Sequence, residues 1–236
     1  MIKTVSHTKI FEEFYKKNNK NFDLSINPPF FVMGSLSLLE KTTIATFLKV
    51  HNINKIFEFG TFLGSTTAIM SMNSKKNSKI YSIDLPSNLK PKNASYKKMK
   101  KIVNSYNMKN QSQNDKCLQE IYKVFGPLYV KKLQKNYLKK IKLIKKDSTN
   151  FDFKSFKNFF DFVFIDGGHD FKIVKQDTEN AFYITKKGGL IVWHDVNSRI
   201  HKDVTKYLKK LKITINHIRH TFLGYYKKKG DTNIKL

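Results

Sequence analysis

An α/β fold, a mostly parallel sheet with helices on both faces, is predicted by three observations. Short runs of β-branched and aromatic residues alternate with longer helical stretches from residue 53 onward. Four of those runs stop at Gly60, Asp84, Asp166 and His194-Asp195. The two final runs, Ile213 to His217 and Phe222 to Tyr226, are close enough to pair as an antiparallel edge. Alternating strands and helices put successive strands parallel, with the crossovers covering the sheet.

The elements follow in order. Ile10, Phe11, Phe14 and Tyr15 share one helical face, so residues 1 to 20 are predicted helical. Asn27-Pro28-Pro29 breaks that stretch. Ser37 and Glu40 have the spacing of a capping box, with Leu38, Leu39, Ile44, Phe47 and Leu48 as the apolar side of the helix. Strands are predicted at Lys55–Phe59, Lys79–Ile83, Ile141–Ile144, Asp161–Ile165 and Leu190–Trp193. Between them, residues 95 to 140 read as mostly helical, interrupted at Gly126-Pro127. Residues 171 to 184 read as a helix ended by Lys187-Gly188-Gly189, and residues 201 to 211 as another. No linker or repeat divides the chain. Residues 1–50 are expected to form a helical extension or lid, with Phe30 to Met33 either over the substrate or against the sheet. Residues 51–236 are expected to form the main domain, with a basic helical insertion at about 90–140.

Composition bounds the rest. A chain of 236 residues, 40% hydrophobic, can bury a sizeable core. One cysteine excludes an internal disulfide framework and a multi-cysteine zinc site. No apolar run of membrane-spanning length occurs, and the N-terminus has no apolar secretory core, so a cytoplasmic protein without a transmembrane segment is expected. The net charge is +27, from 43 lysines and only two arginines, Arg199 and Arg219. Residues 90–146 hold 17 lysines against Asp115 and Glu120. Such charge attracts polyanions such as RNA, yet the arginine fork that grips phosphates and guanine edges is nearly missing. A lysine- and asparagine-rich chain also follows from AT-rich coding.

Glu58-x-Gly60-x-x-x-Gly64 closes the first of these strands with a glycine turn leading into a helix. It is neither a dinucleotide-binding GxGxxG nor a P-loop, since no Gly-Lys-Ser/Thr follows. Asp84, 20 residues past Gly64 at the next strand end, can accept both hydroxyls of a ribose. Together, the turn, the strand-end acid and the order of elements resemble the class I S-adenosylmethionine-dependent methyltransferases. That resemblance covers about 180 residues. It implies a Rossmann-like, seven-stranded sheet with a closing antiparallel hairpin. It also implies cofactor binding by Glu58, Gly60, Thr61, Gly64 and Asp84, with Asp147-Ser148 at the adenine.

Asp166-Gly167-Gly168-His169 and His194-Asp195 place acids and imidazoles just past two strand ends. Two such carboxylates suit a hard cation, and an imidazole suits proton removal from a hydroxyl. This pair is similar to that of the metal-dependent small-molecule and sugar O-methyltransferases. The similarity implies Asp166 and Asp195 as ligands of a divalent metal, Mg²⁺ first. It implies His169 as the base, with His194 as the alternative. Where the catechol-type members carry an amide after the second Asp, this chain has Val196, with Asn197 one place later.

The expected function is therefore an S-adenosylmethionine-dependent O-methyltransferase acting on a hydroxylated small molecule or saccharide, with a homo-oligomer as an open possibility. An RNA or cap methyltransferase and a non-catalytic binding protein on the same fold are the competing readings. Cys117 is expected to be an inert buried thiol, Trp193 core or pocket wall, and the phenylalanines from 151 to 160 packing residues. His201, His217 and His220 are given no role.

Overall fold

Local chemistry marks where the elements begin and end. The capping box forms as expected: Ser37 Oγ accepts from Glu40 N–H, and Glu40 Oε2 accepts from Ser37 N–H at 2.7 Å. It starts α2 (Leu38–Val50). Asn110 caps α5 (Gln111–Phe125), which stops at Gly126 before Pro127. The computed structural model describes residues 1–18, 23–26, 34–51, 53–87 and 96–230. The expected lid residues Phe30 to Met33, and the start of the basic insertion, lie outside them.

The strands are β1 (Ile2–Val5), β2 (Lys55–Phe59), β3 (Lys79–Asp84), β4 (Ile141–Lys145), β5 (Phe160–Ile165), β6 (Thr185–Trp193), β7 (Ile215–Ile218) and β8 (Gly224–Lys227). The remaining helices are α1 (Thr8–Asn18), α3 (Ser65–Asn73), α4 (Tyr96–Asn104), α6 (Leu128–Lys131), α7 (Lys135–Leu138), α8 (Phe171–Ile184) and α9 (Lys202–Lys210). Among the described residues the sheet runs β1-β7-β8-β6-β5-β2-β3-β4. Only β8 is antiparallel to its neighbours. The fold is α/β and Rossmann-like, as the alternation of elements predicts. The chain winds outward from β2 through β3 to β4, then returns to β5 on the other side of β2. The strand order therefore reverses at the β2/β5 boundary, and ligands of such sheets bind past the strand ends there.

Two expectations need correction. The N-terminus is not helical throughout. Ile2–Val5 pair in parallel with Ile215–Ile218, making an eighth strand, and the helix starts only at Thr8. The reason is backbone satisfaction: without β1, the outer N–H and C=O groups of β7 would be unpaired. Nor do Gly188 and Gly189 end the preceding helix. α8 stops at Ile184, and β6 begins at once and runs through both glycines. A register irregularity between Phe160 and Phe162 accommodates the change.

Apolar layers cover both faces. One joins Phe57, Phe160, Val163, Ile191 and Trp193 to α8 and α9 through Phe182, Val204 and Tyr207. The other joins Ile56, Phe162, Phe164 and Val192 to α1 and α2 through Ile10, Ile44 and Phe47. The phenylalanines before β5 pack as expected: Phe153 and Phe160 meet Phe57 at 5.7 and 5.1 Å. Each such pair contributes about 0.5–1.5 kcal/mol beyond burial. Cys117 is buried in a third cluster, with Leu63, Met99, Ile121 and Phe125, which seats α4 and α5 on the glycine turn. No helix among the described residues is long and apolar enough to cross a membrane.

Candidate active site

The glycine turn after β2 is held from both sides. Gly60 has φ +87, and its N–H donates to Ile83 O at 2.9 Å. A Cβ there would sit 2.0 Å from the carbonyl oxygen of Asp166. The close approach welds the end of β2 to the end of β5. Gly64 has φ +78, and the space a Cβ would need is filled by Val130 of α6. Its missing side chain thus makes room for α6 of the insertion.

Asp84, at the end of β3, reaches across to this turn. Its Oδ2 accepts from Phe62 N–H and its Oδ1 from Leu85 N–H, both at 2.7 Å. Burial lifts its pKa to about 6 against the pull of those N–H groups. Glu58 is completely buried. Its Oε2 accepts from Thr67 Oγ1 and from Ser82 Oγ, and Ser82 Oγ in turn meets Thr61 Oγ1 at 2.6 Å. Burial raises the Glu58 pKa to about 8, and Oε1 has no hydrogen-bond partner among the described residues. Glu58, Thr61, Gly60, Gly64 and Asp84 are therefore brought together. Asp147 and Ser148 stand at the end of β4, the outermost strand. Asp147 Oδ1 caps Thr149 N–H at 2.8 Å. Ser148 bonds to Asp177, a buried acid of α8 that burial lifts to about 7 and whose Oδ1 is unpartnered.

These raised carboxylates have a consequence. Glu58, Asp84 and Asp177 hold their protons more tightly folded than unfolded. The stability they contribute is complete below their ordinary values, 4.5 for Glu58 and 3.8 for the two Asp, and is lost as pH rises through about 8, about 6 and about 7. The melting temperature of the cofactor-free protein is expected to fall between about pH 5 and about pH 8. Glu58→Gln, which mimics the protonated acid, should flatten that fall. A melting temperature that rises over this window would contradict the assignment.

The second half of the site lies at the ends of β5 and β6. Asp195 has φ 58, an unfavourable conformation for a non-glycine residue, and it turns its carboxylate into a ring of imidazoles. Its Oδ2 is 3.1 Å from His169 Nε2 and 3.1 Å from His194 Nδ1, and its Oδ1 is 2.8 Å from His201 Nδ1. The imidazoles hold its pKa well below the usual range, although burial alone would raise it. His194 Nδ1 is also 3.2 Å from Asp166 Oδ1, and its Nε2 faces the buried Glu40 Oε1 at 3.5 Å. Glu40 Oε1 further accepts from Phe222 N–H at 2.7 Å. Burial would raise Glu40, but His194 and the N–H groups of Phe222 and Ser37 bring it down to about 2.

His169 Nδ1 bonds to Asp115 Oδ1 at 2.7 Å. Burial opposes its charge, yet Asp115 and Asp195 together lift its pKa to about 10. The His169 and His201 rings stack 3.6 Å apart and 7° from parallel. His201 Nε2 reaches Asn114 Oδ1 at 3.0 Å. One ligand atom each from Asp166, His169 and Asp195 lies within 4.8 Å of the others, and the same holds for Asp115, His169 and His201.

Asp166, His169, His194 and Asp195 thus converge as anticipated. Val196 is buried in the core with its N–H on Phe222 O, and Asn197 is exposed, so neither supplies the missing amide. Sequence reasoning overlooked Glu40 as a site neighbour, together with Asn114, Asp115, Asp177 and His201. Glu40 was visible only as a cap; Asp115 lies 54 residues from His169 with no local pattern to join them.

The sequence profile of a family described as a methyltransferase domain matches residues 57–196. No curated protein matches the chain. Among solved structures it is similar to the methyltransferase PaMTH1 of Podospora anserina, determined with S-adenosylhomocysteine. The identity is 13%, over 83% of this chain and 80% of that one, with a TM-score of 0.50. It is also similar to an O-methyltransferase of Bacillus cereus, likewise with S-adenosylhomocysteine, at 10% identity, 93% and 87% coverage and a TM-score of 0.48. A third is an S-adenosylmethionine-dependent O-methyltransferase of Thermotoga maritima, at 12% identity, 85% and 68% coverage and a TM-score of 0.47.

Proposed function

Because this chain belongs to the methyltransferase-domain family and has the Rossmann-like fold of the class I S-adenosylmethionine-dependent methyltransferases, we propose that it is an O-methyltransferase acting on a hydroxyl of a small molecule or saccharide. One observation carries the reading. The glycine turn and the acid-and-imidazole cluster stand at the ends of neighbouring strands, joined where Gly60 packs on the Asp166 carbonyl.

The cofactor half fits that reading. Asp84 is the carboxylate for the ribose hydroxyls. Its oxygens accept from the N–H groups of Phe62 and Leu85 and keep lone pairs for more. Glu58 keeps the turn in place through Thr67 and Ser82, and its buried Oε1, without a hydrogen-bond partner among the described residues, is the oxygen left for a polar group of the ligand. Asp147 and Ser148, just past the end of β4, are the residues that would hold the adenine. When bound, S-adenosylmethionine supplies an electrophilic methyl group on a sulfonium. The rest is placement: holding the acceptor oxygen in line with that methyl converts a bimolecular encounter into a positioned one.

The acceptor half fits too. Asp166 and Asp195 are the carboxylates for a divalent cation, whose charge would make a nearby hydroxyl easier to deprotonate. His169 and His194 are the groups for the hydroxyl proton. Phe222, 45% exposed and edge-on to His194, gives the crevice an apolar lip for a ring-shaped acceptor. Residues 51–236 carry these parts, and residues 1–50 add β1, α1 and the Glu40 contact to them.

The test begins with the cofactor. Calorimetry should give clear S-adenosylmethionine binding to the wild type and at least about tenfold weaker binding to Asp84→Ala, the loss of one or two hydrogen bonds. Labelled methyl should then pass to a hydroxylated fraction of a cell extract. A wild type that binds no cofactor would end the enzymatic reading, and equal affinities would remove Asp84 from the ribose.

A further inference from the structure

The cation half of the proposed site is not made of oxygen alone. Asp166, His169 and Asp195 each offer one ligand atom within 4.8 Å of the others. Bonds of about 2.1 Å place ligand atoms about 3 Å apart when adjacent and about 4.2 Å apart when opposed. The 3.1 Å between His169 Nε2 and Asp195 Oδ2 is of the first kind.

The other nitrogen of His169 carries the second observation. Nδ1 is bonded at 2.7 Å to Asp115, a carboxylate brought in by helix α5 of the insertion. Metal-bound imidazoles almost always have such a carboxylate or carbonyl on the far nitrogen, which fixes the ring and makes the near nitrogen a better ligand. His169 is thus clamped with Nε2 turned toward Asp195.

The stacked ring of His201 decides which side the ion occupies. An imidazole binds metal in its own plane. Planes 3.6 Å apart and 7° from parallel share no such point, so His169 and His201 cannot both ligate one ion beside Asp115. The Asp166–Asp195 side remains.

Resting on the cation reading above, we infer that His169 is a ligand through Nε2. The centre therefore selects a nitrogen-accepting first-row transition ion, such as Zn²⁺, Co²⁺ or Mn²⁺, over Mg²⁺. Carboxylates and water suit Mg²⁺, which demands near-ideal octahedral oxygen. Imidazole shifts preference toward the later divalent ions. The hydroxyl proton then falls to His194.

The experiment uses the metal-stripped full chain without acceptor. Calorimetry compares Zn²⁺, Co²⁺, Mn²⁺ and Mg²⁺, and visible absorption follows Co²⁺. Zn²⁺ and Co²⁺ should bind at least about 100-fold tighter than Mg²⁺ and follow the Irving–Williams order. His169→Ala should remove most of that preference and change the Co²⁺ spectrum. Asp115→Asn should weaken Zn²⁺ and Co²⁺ about 10- to 100-fold with little change for Mg²⁺. His169→Gln, which keeps a polar group, guards against a folding failure in the alanine variant. Mg²⁺ binding as tightly as Co²⁺, or a Co²⁺ affinity and spectrum unchanged in both His169 variants, would overturn the inference. So would the absence of ion binding altogether. S-adenosylmethionine affinity, measured on the same samples, shows whether the methyltransferase reading stands independently.

Discussion

His194→Ala is expected to slow methyl transfer by about 10² to 10⁴-fold while leaving S-adenosylmethionine affinity unchanged, the usual result of removing a general base. His194 is placed for this by three carboxylates. Glu40 stands 3.5 Å from Nε2, and Asp166 and Asp195 stand 3.2 and 3.1 Å from Nδ1. With both carboxylates committed to a cation, Nδ1 would be released to face the acceptor. Single-turnover transfer from labelled cofactor is the measurement. Turnover within a few-fold of wild type would return the proton to His169 or to simple proximity. His194→Gln, which keeps a polar partner for the buried Glu40, separates a chemical loss from a packing one.

Gly60→Ala is expected to be the most damaging single-methyl change in the chain. Alanine at φ +87 carries a conformational penalty of about 1–2 kcal/mol. Its methyl would also lie 2.0 Å from the Asp166 carbonyl oxygen, a backbone atom that cannot rotate away. The sum should reach roughly 3 kcal/mol or more, a drop of about 6–12 °C in melting temperature at this size. Cofactor binding should go with it, because the ends of β2 and β5 would be forced apart. Gly188→Ala is the control: φ is +80, but nothing lies within 4 Å, so only the backbone penalty applies. Equal losses in the two variants would show that the β2/β5 contact is unimportant.

The parts legible in sequence were those governed by short-range pattern. Lys55–Phe59, Lys79–Ile83 and Asp161–Ile165 read as strands because they are apolar runs ended by a glycine or an acid, and strands form there with bounds shifted by at most one residue. The capping box of Ser37 and Glu40 was equally local. What escaped depended on distance along the chain. Ile2–Val5 are too few to show a period, and they become a strand only because β7 offers an edge more than 200 residues away. Asp115 sits in the lysine-rich segment 90–146 and looked like solvated charge; only folding brings it to His169. His201 had no neighbour in sequence to suggest the ring it stacks on. Glu40 was read correctly as a cap, but its other oxygen reaches Phe222, 182 residues on. Helix-capping rules say nothing about that second contact.

The Asp115 contact also reshapes the electric field of the insertion. Residues 90–146 contain two acids, and both are engaged: Asp115 with His169, and Glu120 with the Tyr106 hydroxyl at 2.6 Å. The same segment holds 17 lysines. With 17 lysines against two acids, the segment whose helix α5 meets the cluster through Asp115 carries a strongly positive net charge. At low ionic strength, its potential extends beyond contact range, about 10 Å at 0.1 M salt. A charge of that reach would act on the rate at which acidic molecules are encountered, and the buried carboxylates and imidazoles beneath it would act on bound ones.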